Sequence, residues 1–312
     1  MKFVLLKLAM ILSTILILSS SLFGQDEMEM ARIVDSLFIR ASSGEVKYRD
    51  LVEPSKQAII DLKEKAVPQM LTKLGTRDAR ETHTVTDIFK GIGDIAVDSL
   101  LTRIDSEDDD TRRLAIRCLG EISSSKATAR LIEIIHHSDF RTRVGVMTAL
   151  GQIGSPEAAS AVSEGLKDAD ELVATAAAVA CGKIKENIKP KDLIDALNHA
   201  YYGVRYSAVN ALGELGESSV KPLIAYLKTE PPGPVAEHAI EALGKTGSKK
   251  ALSTIEKLLK SSDWSIRSSA AAALGNIRDK KSLKILRKAL NTEQHLLVIA
   301  KIKSAIDKLQ NN

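Results

Sequence analysis

The sequence predicts an all-α fold: a solenoid, or superhelix, of about eight stacked antiparallel helix pairs. Three observations carry this. A glycine returns as Gly120, Gly151, Gly182, Gly213, Gly244 and Gly275, each 31 residues after the last, and a fixed period in this range is the signature of a stacked-repeat architecture. The residues around that glycine have helical spacing. In the unit that opens at Val204 the apolar positions are Val204, Ala208, Ala211, Leu212 and Leu215, which fall on one face of an α-helix. Small residues recur in phase, as Ala115, Ala177, Ala208, Ala239 and Ala270 and as Ala149, Ala180, Ala211, Ala242 and Ala273, and small side chains let helix axes come close. A second amphipathic segment precedes each of these helices, for example Ala158 to Leu166, Val220 to Leu227 and Leu252 to Leu259. One such pair cannot bury its own apolar face, so neighbours must stack.

In chain order, residues 1–24 stand apart. Lys2 and Lys7 give a basic start, Leu8 to Leu18 is apolar apart from Ser13 and Thr14, and Ser19-Ser20-Ser21 with Gly24-Gln25 offers small residues for cleavage. This reads as a signal peptide and places the protein outside the cytoplasm, periplasmic or secreted. An uncleaved membrane anchor is the rival, because Val4 to Phe23 nearly reaches the ~20 residues of a span. Residues 25–75 read as an irregular helical cap. It holds an amphipathic helix from Met28 to Arg40 with Ile33, Val34, Leu37 and Phe38 on one face, a turn at Ala41 to Gly44, and a helix opened by Pro54. Ala66 to Leu71, with Thr82 to Gly93, reads as a degenerate first pair, as terminal repeats commonly are. The solenoid then occupies 76–312. Its last repeat, 280–312, is a C-terminal cap in which the phased glycine has become Asp307 after one extra residue. Pro231-Pro232-Gly233-Pro234 replaces the usual Asp of its repeat with a stiff turn.

The second helices share a further pattern: Asp before the helix, an aliphatic-Arg pair opening it, and Ala-Leu-Gly near its end. Asp263, Ile266, Arg267 and Ala273-Leu274-Gly275 show all of it, and Asp108 with Arg112 and Asp139 with Arg143 share its charged positions. Over about the last two-thirds of the chain the unit resembles a HEAT repeat, most closely the short bacterial version seen in phycobilisome-lyase-type proteins. The resemblance implies that the Asp and Arg series form a structural ladder between repeats. It also implies an alternative function, a bilin-lyase-type enzyme or enzyme subunit, which the export signal opposes.

Chemistry-bearing motifs are scarce. Cys118 and Cys181, the only cysteines, fall on buried positions of second helices two repeats apart, ~20 Å at ~10 Å per layer, so two free, inert thiols are expected. The histidines (His83, His136, His137, His199, His238 and His295) form no metal-ligand spacing with one another or with cysteine. His136-His137-Ser138-Asp139 reads as a helix end and its capping Asp. Nucleophile-elbow, Walker and dinucleotide motifs are absent. The acidic run Asp105 to Asp110 reads as a solvated loop before a helix N-terminus, and against a calcium loop, whose glycine and ligand spacing it lacks. Asp108, Asp139, Asp170 and Asp263 read as helix caps, and Arg112, Arg143, Arg205 and Arg267 occupy the position four residues after the cap, a structural series rather than a catalytic one. No catalytic residue, metal or cofactor is expected.

The charge is uneven. Residues 25–244 hold 27 basic and 35 acidic residues, while 245–312 hold 15 basic and 5 acidic. The C-terminal third therefore either carries an uneven soluble surface or meets an anionic envelope polymer or membrane surface. The export signal disfavours nucleic acid. The expected function is an exported, non-enzymatic scaffold that binds a protein or peptide on its concave surface, with a purely structural envelope protein as a further alternative. The expected binding face is read from Tyr206 and Asn210, four apart and opposite the buried stripe. Its equivalents are Arg113 and Arg117, Val144 and Thr148, Thr175 and Val179, Glu237 and Glu241, and Ser268 and Ala272. Tyr201 and Pro232 stand where Asp is usual and Ala174 and Ala236 where Arg is usual. Tyr201, Tyr202 and Tyr206 crowd one repeat, either as interface anchors or as packing that fills the place of the missing Asp-Arg pair. The partner-binding residues are thus Tyr202, Tyr206, Asn210, Glu237, Glu241, Arg113 and Arg117.

Overall fold

A computed structural model describes residues 25–229 and 233–311. The segment expected to be a signal or anchor, and Pro231-Pro232, lie outside the described residues. Among these, the secondary structure is α-helix and short 3-10 turns with no strand. No helix among them is long and apolar enough to cross a membrane. The chain forms two compact units that part after Ser124.

In the first unit, α1 occupies 25–41. It is followed by α2 (Val52–Asp61), α3 (Val67–Leu71), α4 (Ala79–Ile92), α5 (Val97–Leu101) and α6 (Asp109–Ile122). Helices α2, α4 and α6 stack in sequence, and α3 packs on α5. The core between them is fully buried at Ile59, Met70, Leu74, Ile88, Phe89 and Leu100. The expected face of α1 is corrected at one place. Val34 and Phe38 are buried at 0% and 4% exposure, but Ile33 is 42% exposed, because the buried row runs through Val34, Phe38 and Ala41, four and then three residues apart. The period also reaches upstream of the first phased glycine. Lys56 pairs with Asp87 at 2.8 Å and Lys90 with Glu121 at 3.1 Å, both 31 residues apart, so α2 already behaves as a second helix.

In the second unit the first helices are α7 (Thr128–Glu133), α9 (Ala159–Gly165), α11 (Pro190–Asp195), α13 (Glu217–Leu227), α15 (Leu252–Leu258) and α17 (Leu283–Thr292). The second helices are α8 (Phe140–Ile153), α10 (Glu171–Ile184), α12 (Tyr202–Glu214), α14 (Gly233–Lys245), α16 (Trp264–Ile277) and α18 (Leu296–Gln310). Each second helix packs on the next from α8 to α18. A connection of a few residues between helices that pack on each other makes each pair antiparallel. The phased alanines are the seam, all buried to 2% exposure or less. The phased glycines explain how close that seam is. A Cβ on Gly244 would lie 2.7 Å from the Cα of Ala273, and one on Gly151 would lie 2.8 Å from the Cα of Ala180. Here backbone meets backbone, and only glycine leaves the room.

Candidate functional site

The turns that lead into the second helices follow a repeated plan. Asp78, Asp108, Asp139, Asp170 and Asp263 sit at N-caps in extended conformation and accept backbone N–H bonds from the first turn of α4, α6, α8, α10 and α16, which satisfies donors that a helix start leaves open. Asp78 is an addition to the expected series. Two residues before each cap sits an acceptor for the cap's own N–H: Thr76, Ser106, His137, Asp168, His199, Ser261 and Glu293. The backbone carbonyls of Ser106, His137, His199 and Ser261 each accept from Nη1 of Arg112, Arg143, Arg205 and Arg267 at 2.7–2.9 Å. Each arginine thus clasps its own turn.

The expected ladder takes a different form at two arginines. Arg143 binds Asp168 through two bonds of 2.7 and 2.9 Å, and Arg267 binds Glu293 through two of the same lengths. The rung carboxylate is the residue two before the cap, because the capping carboxylate is turned to its own helix N–H groups. Bidentate guanidinium–carboxylate pairing is among the stronger side-chain contacts. The Arg267 guanidinium, aided by the N–H groups of His295 and Gln294, holds the Glu293 carboxyl down at about 2, and Arg143 likewise lowers Asp168. In the acidic run the last three carboxylates are engaged: Asp108 caps α6, Asp109 meets Arg112, and Asp110 meets Arg77 and Arg113.

The repeat of α12 departs from this plan. Tyr201 occupies its N-cap, in the extended conformation a cap needs, but gives no side-chain cap bond. Val204, Ala208, Ala211 and Leu212 are buried as their spacing predicts, while Tyr201, Tyr202 and Tyr206 are 48%, 67% and 49% exposed. The tyrosines are therefore only partly packed against their turn. Tyr202 and Tyr206 stack on each other, centroids 5.9 Å apart and planes at 22°, and the Arg205 guanidinium lies 5.8 Å from the Tyr202 ring. Tyr201 tilts against His199 at 5.6 Å. Asn210, one turn beyond Tyr206, is half-buried, and on the adjoining α14 Glu237 is half-buried and Glu241 exposed.

None of the equivalent positions on the other second helices is buried: Val144 and Thr148, Thr175 and Val179, and Ser268 and Ala272 all reach solvent. Arg113 and Arg117 lie on α6 of the first unit, where Arg113 is held by Asp110 at 3.0 Å and Arg117 is exposed. Beyond Glu241 the ridge dips into a groove of about 370 Å³ lined by Ser268, Ala272 and Asn276, with Lys301 and Lys308 on its far bank. These two lysines were not part of the expected face. With one residue added they are the equivalents of Ser269 and Asn276, beside the expected Ser268 and Ala272. Cys118 and Cys181 are free and buried, and burial pushes both thiols up to about 12, so neither is ionised near neutrality. Among the described residues no group of three or more His, Cys, Asp or Glu is gathered as a metal site.

A family model described as HEAT repeats matches residues 97–182, 190–247 and 220–306. No curated protein was found to match the sequence. Among solved structures the chain is similar to Kap121p, at 14% identity and a TM-score of 0.55 over 93% of this chain and 41% of that one. It is also similar to the Kap95:Nup1 complex, at 13% identity and a TM-score of 0.56 over 89% and 45%. The chain thus spans less than half the length of those two chains, and at such identity the likeness is one of fold.

Proposed function

The chain belongs to the HEAT-repeat family, and from that premise we propose that it is an exported, non-enzymatic scaffold that binds a protein or peptide along the second-helix ridge of residues 125–311. The observation that carries the proposal is the stacked, exposed Tyr202–Tyr206 pair in a chain only 4% aromatic. Tyrosine offers large area, a polar tip and few rotors, and is enriched where interfaces concentrate their binding energy. Asn210 and the acidic Glu237 and Glu241 lie beside it, so the surface favours a segment with a bulky apolar side chain followed by a basic one. Stacked second helices supply such extended surfaces, and the similar Kap95:Nup1 structure is itself a complex. The non-enzymatic reading draws support from the two thiols, which burial holds un-ionised and so without the nucleophilic form.

A pull-down from the native envelope followed by variant binding tests the scaffold. Tyr206→Ala should weaken the retained partner by more than ~1 kcal/mol, the threshold of an interface hot spot. Glu241→Lys should weaken it as well, and Ser268→Ala should leave it unchanged. Equal affinity for all three folded variants would remove this ridge as the binding face. For export, N-terminal mass analysis should find a chain that begins near Gln25. An intact Met1 on a membrane-bound form would replace cleavage with anchoring.

A further inference from the structure

The last two turns into second helices lie side by side. The Trp264 ring, first in α16, stacks on His295, the N-cap of α18, with centroids 4.3 Å apart and planes at 8°. The Arg267–Glu293 pair ties the same two turns beneath. At this edge three large apolar side chains stand in water: Trp264 at 43%, Leu297 at 58% and Leu296 at 80% exposure. The first helices α15 and α17 end at the same edge, since each hands over to its second helix through one of these turns. Lys257 lies in the last turn of α15 and Lys260 just past it, while Arg287 and Lys288 lie at the middle of α17, and all four are exposed. The lysines and arginine around them that do form ion pairs are others: Lys245, Lys249, Lys250 and Arg267. The local carboxylates leave the edge positive. Glu293 is spent on Arg267, Asp263 caps α16 through Ser265 N at 2.8 Å, and Glu256 alone remains on α15.

We propose that this edge, formed by the turns before α16 and α18, docks on an anionic lipid bilayer surface, with Trp264, Leu296 and Leu297 entering the interface and the four basic side chains meeting the headgroups. The inference is independent of the peptide-binding ridge. The argument for lipid over a soluble polyanion is the mixture. A polymer in water takes up positive charge but gains nothing from two exposed leucines. A bilayer surface takes both, since basic side chains are drawn to anionic headgroups and apolar ones to the headgroup–acyl boundary. Tryptophan in particular favours that boundary.

Trp264 is the only tryptophan of the chain, so its emission reads this edge and not the apolar segment at residues 1–24. The full chain is mixed with vesicles of phosphatidylglycerol and phosphatidylcholine, with and without brominated acyl chains, at ionic strength about 0.01 M, where the Debye length is ~30 Å. Trp264 emission should shift to the blue and be quenched by the brominated chains, and phosphatidylcholine alone should do neither. Reversal of the four basic residues (Lys257→Glu, Lys260→Glu, Arg287→Glu, Lys288→Glu) should lower the partition seen by Trp264 at least about a hundredfold. Lys183→Glu with Lys221→Glu, exposed and distant in sequence, should leave it unchanged. If the fourfold variant fails to fold by circular dichroism, Leu296→Asp with Leu297→Asp carries the test through loss of quenching. Trp264 emission that ignores anionic vesicles, or that responds equally in the variants, overturns the proposal. So does tight binding of soluble polyphosphate by wild type and leucine variant alike with no quenching by lipid, which would assign the edge to a polymer.

Discussion

The junction of α14 with α16 and the junction of α12 with α14 are built from the same repeat and differ in three ways. At the first, Gly244 lies over Ala273, 29 residues on, as Gly151 lies over Ala180 and Gly182 over Ala211. At the second, Gly213 lies closest to Lys245, 32 residues on, whose counterparts Lys183 and Glu214 only flank Gly151 and Gly182 at 3.6 and 3.7 Å, so the point of closest approach has moved along the helix. The intervening first helix also differs. Helix α13 has 11 residues with Pro222 inside it, against six in α11 and seven in α15. Finally, α16 starts on a capping Asp, whereas α12 starts on Tyr201 with no cap bond. Every junction carries a buried alanine seam, and charge rungs span two of the regular ones, Arg143–Asp168 between α8 and α10 and Arg267–Glu293 between α16 and α18. The irregular one carries exposed tyrosines. A fold whose local rules fail together at one repeat is expected to fail there for a reason of function, and this coincidence supports the placement of the binding ridge on α12.

The largest test of the comparison is at the regular seam. Gly244→Val must push Cβ into the backbone of Ala273, which cannot yield as a side-chain tip could. Overpacking of a tight contact costs typically 1–3 kcal/mol, and the backbone neighbour puts the expected loss near the top, at about 3 kcal/mol by urea unfolding. A change under about 0.5 kcal/mol, the scale of an ordinary surface substitution, would mean that the seam is not close-packed in solution.

The next effect is at the stitched turn. Glu293 is 9% and Arg267 18% exposed in their side chains, so Glu293→Gln leaves a largely buried guanidinium short of charge. Hydrogen bonds to charged groups contribute ~1.5–3 kcal/mol, and a loss of about 2 kcal/mol is expected at neutral pH. The pair also sets a pH dependence. Because the folded-state carboxyl is lowered from 4.5 to about 2, its contribution is complete above the unfolded value and disappears as pH falls from there through about 2. Wild type should therefore lose its advantage over Glu293→Gln across that window. A gap between the two proteins that is constant from neutrality to pH ~2 would show that the pair is not ionised as drawn.

Much of this fold was legible in the residues, and the reasons are local. The glycine period forced the stack, and the alanine register gave the seam, since both follow from steric demands that one sequence displays. The capping Asp residues were legible because a cap acts on its own helix. The rung carboxylates were not found, although Ser106, His137, Asp168, His199 and Ser261 keep the same period as the glycines. Their residue types vary, and what they share is acceptor capacity rather than charge or size. The changed closest contact between α12 and α14 was unreadable, because which residue meets Gly213 is a tertiary outcome. The tyrosine face was legible as exposed positions, while the stacking of Tyr202 on Tyr206 required rotamers that spacing cannot supply. Lys301 and Lys308 escaped because, with the extra residue before α18 counted, they are the equivalents of Ser269 and Asn276 and not of the Ser268 and Ala272 that defined the face.

The smallest effect would repair the irregular turn. Tyr201 already holds the extended conformation of an N-cap, φ −88° and ψ 132°, close to the −79° and 119° of Asp263. His199 already accepts its N–H through Nδ1 at 3.2 Å, as Ser261 does for Asp263, and Arg205 already clasps the turn through the carbonyls of His199 and Ala200 at 2.7 Å each. Only the capping oxygen is missing. Tyr201→Asp should supply it at no conformational cost, and a good N-cap over a poor one is worth ~0.5–2 kcal/mol. Tyr201 is about half exposed, so little packing is lost in exchange, and a net gain of about 1 kcal/mol in unfolding free energy is expected. The same variant should bind the ridge partner as wild type does, because Tyr202 and Tyr206, not Tyr201, form the stacked pair. Stability gained with binding intact would separate the cap defect from the binding face. Binding lost together with the gain would show that the absent cap is itself part of what the partner requires.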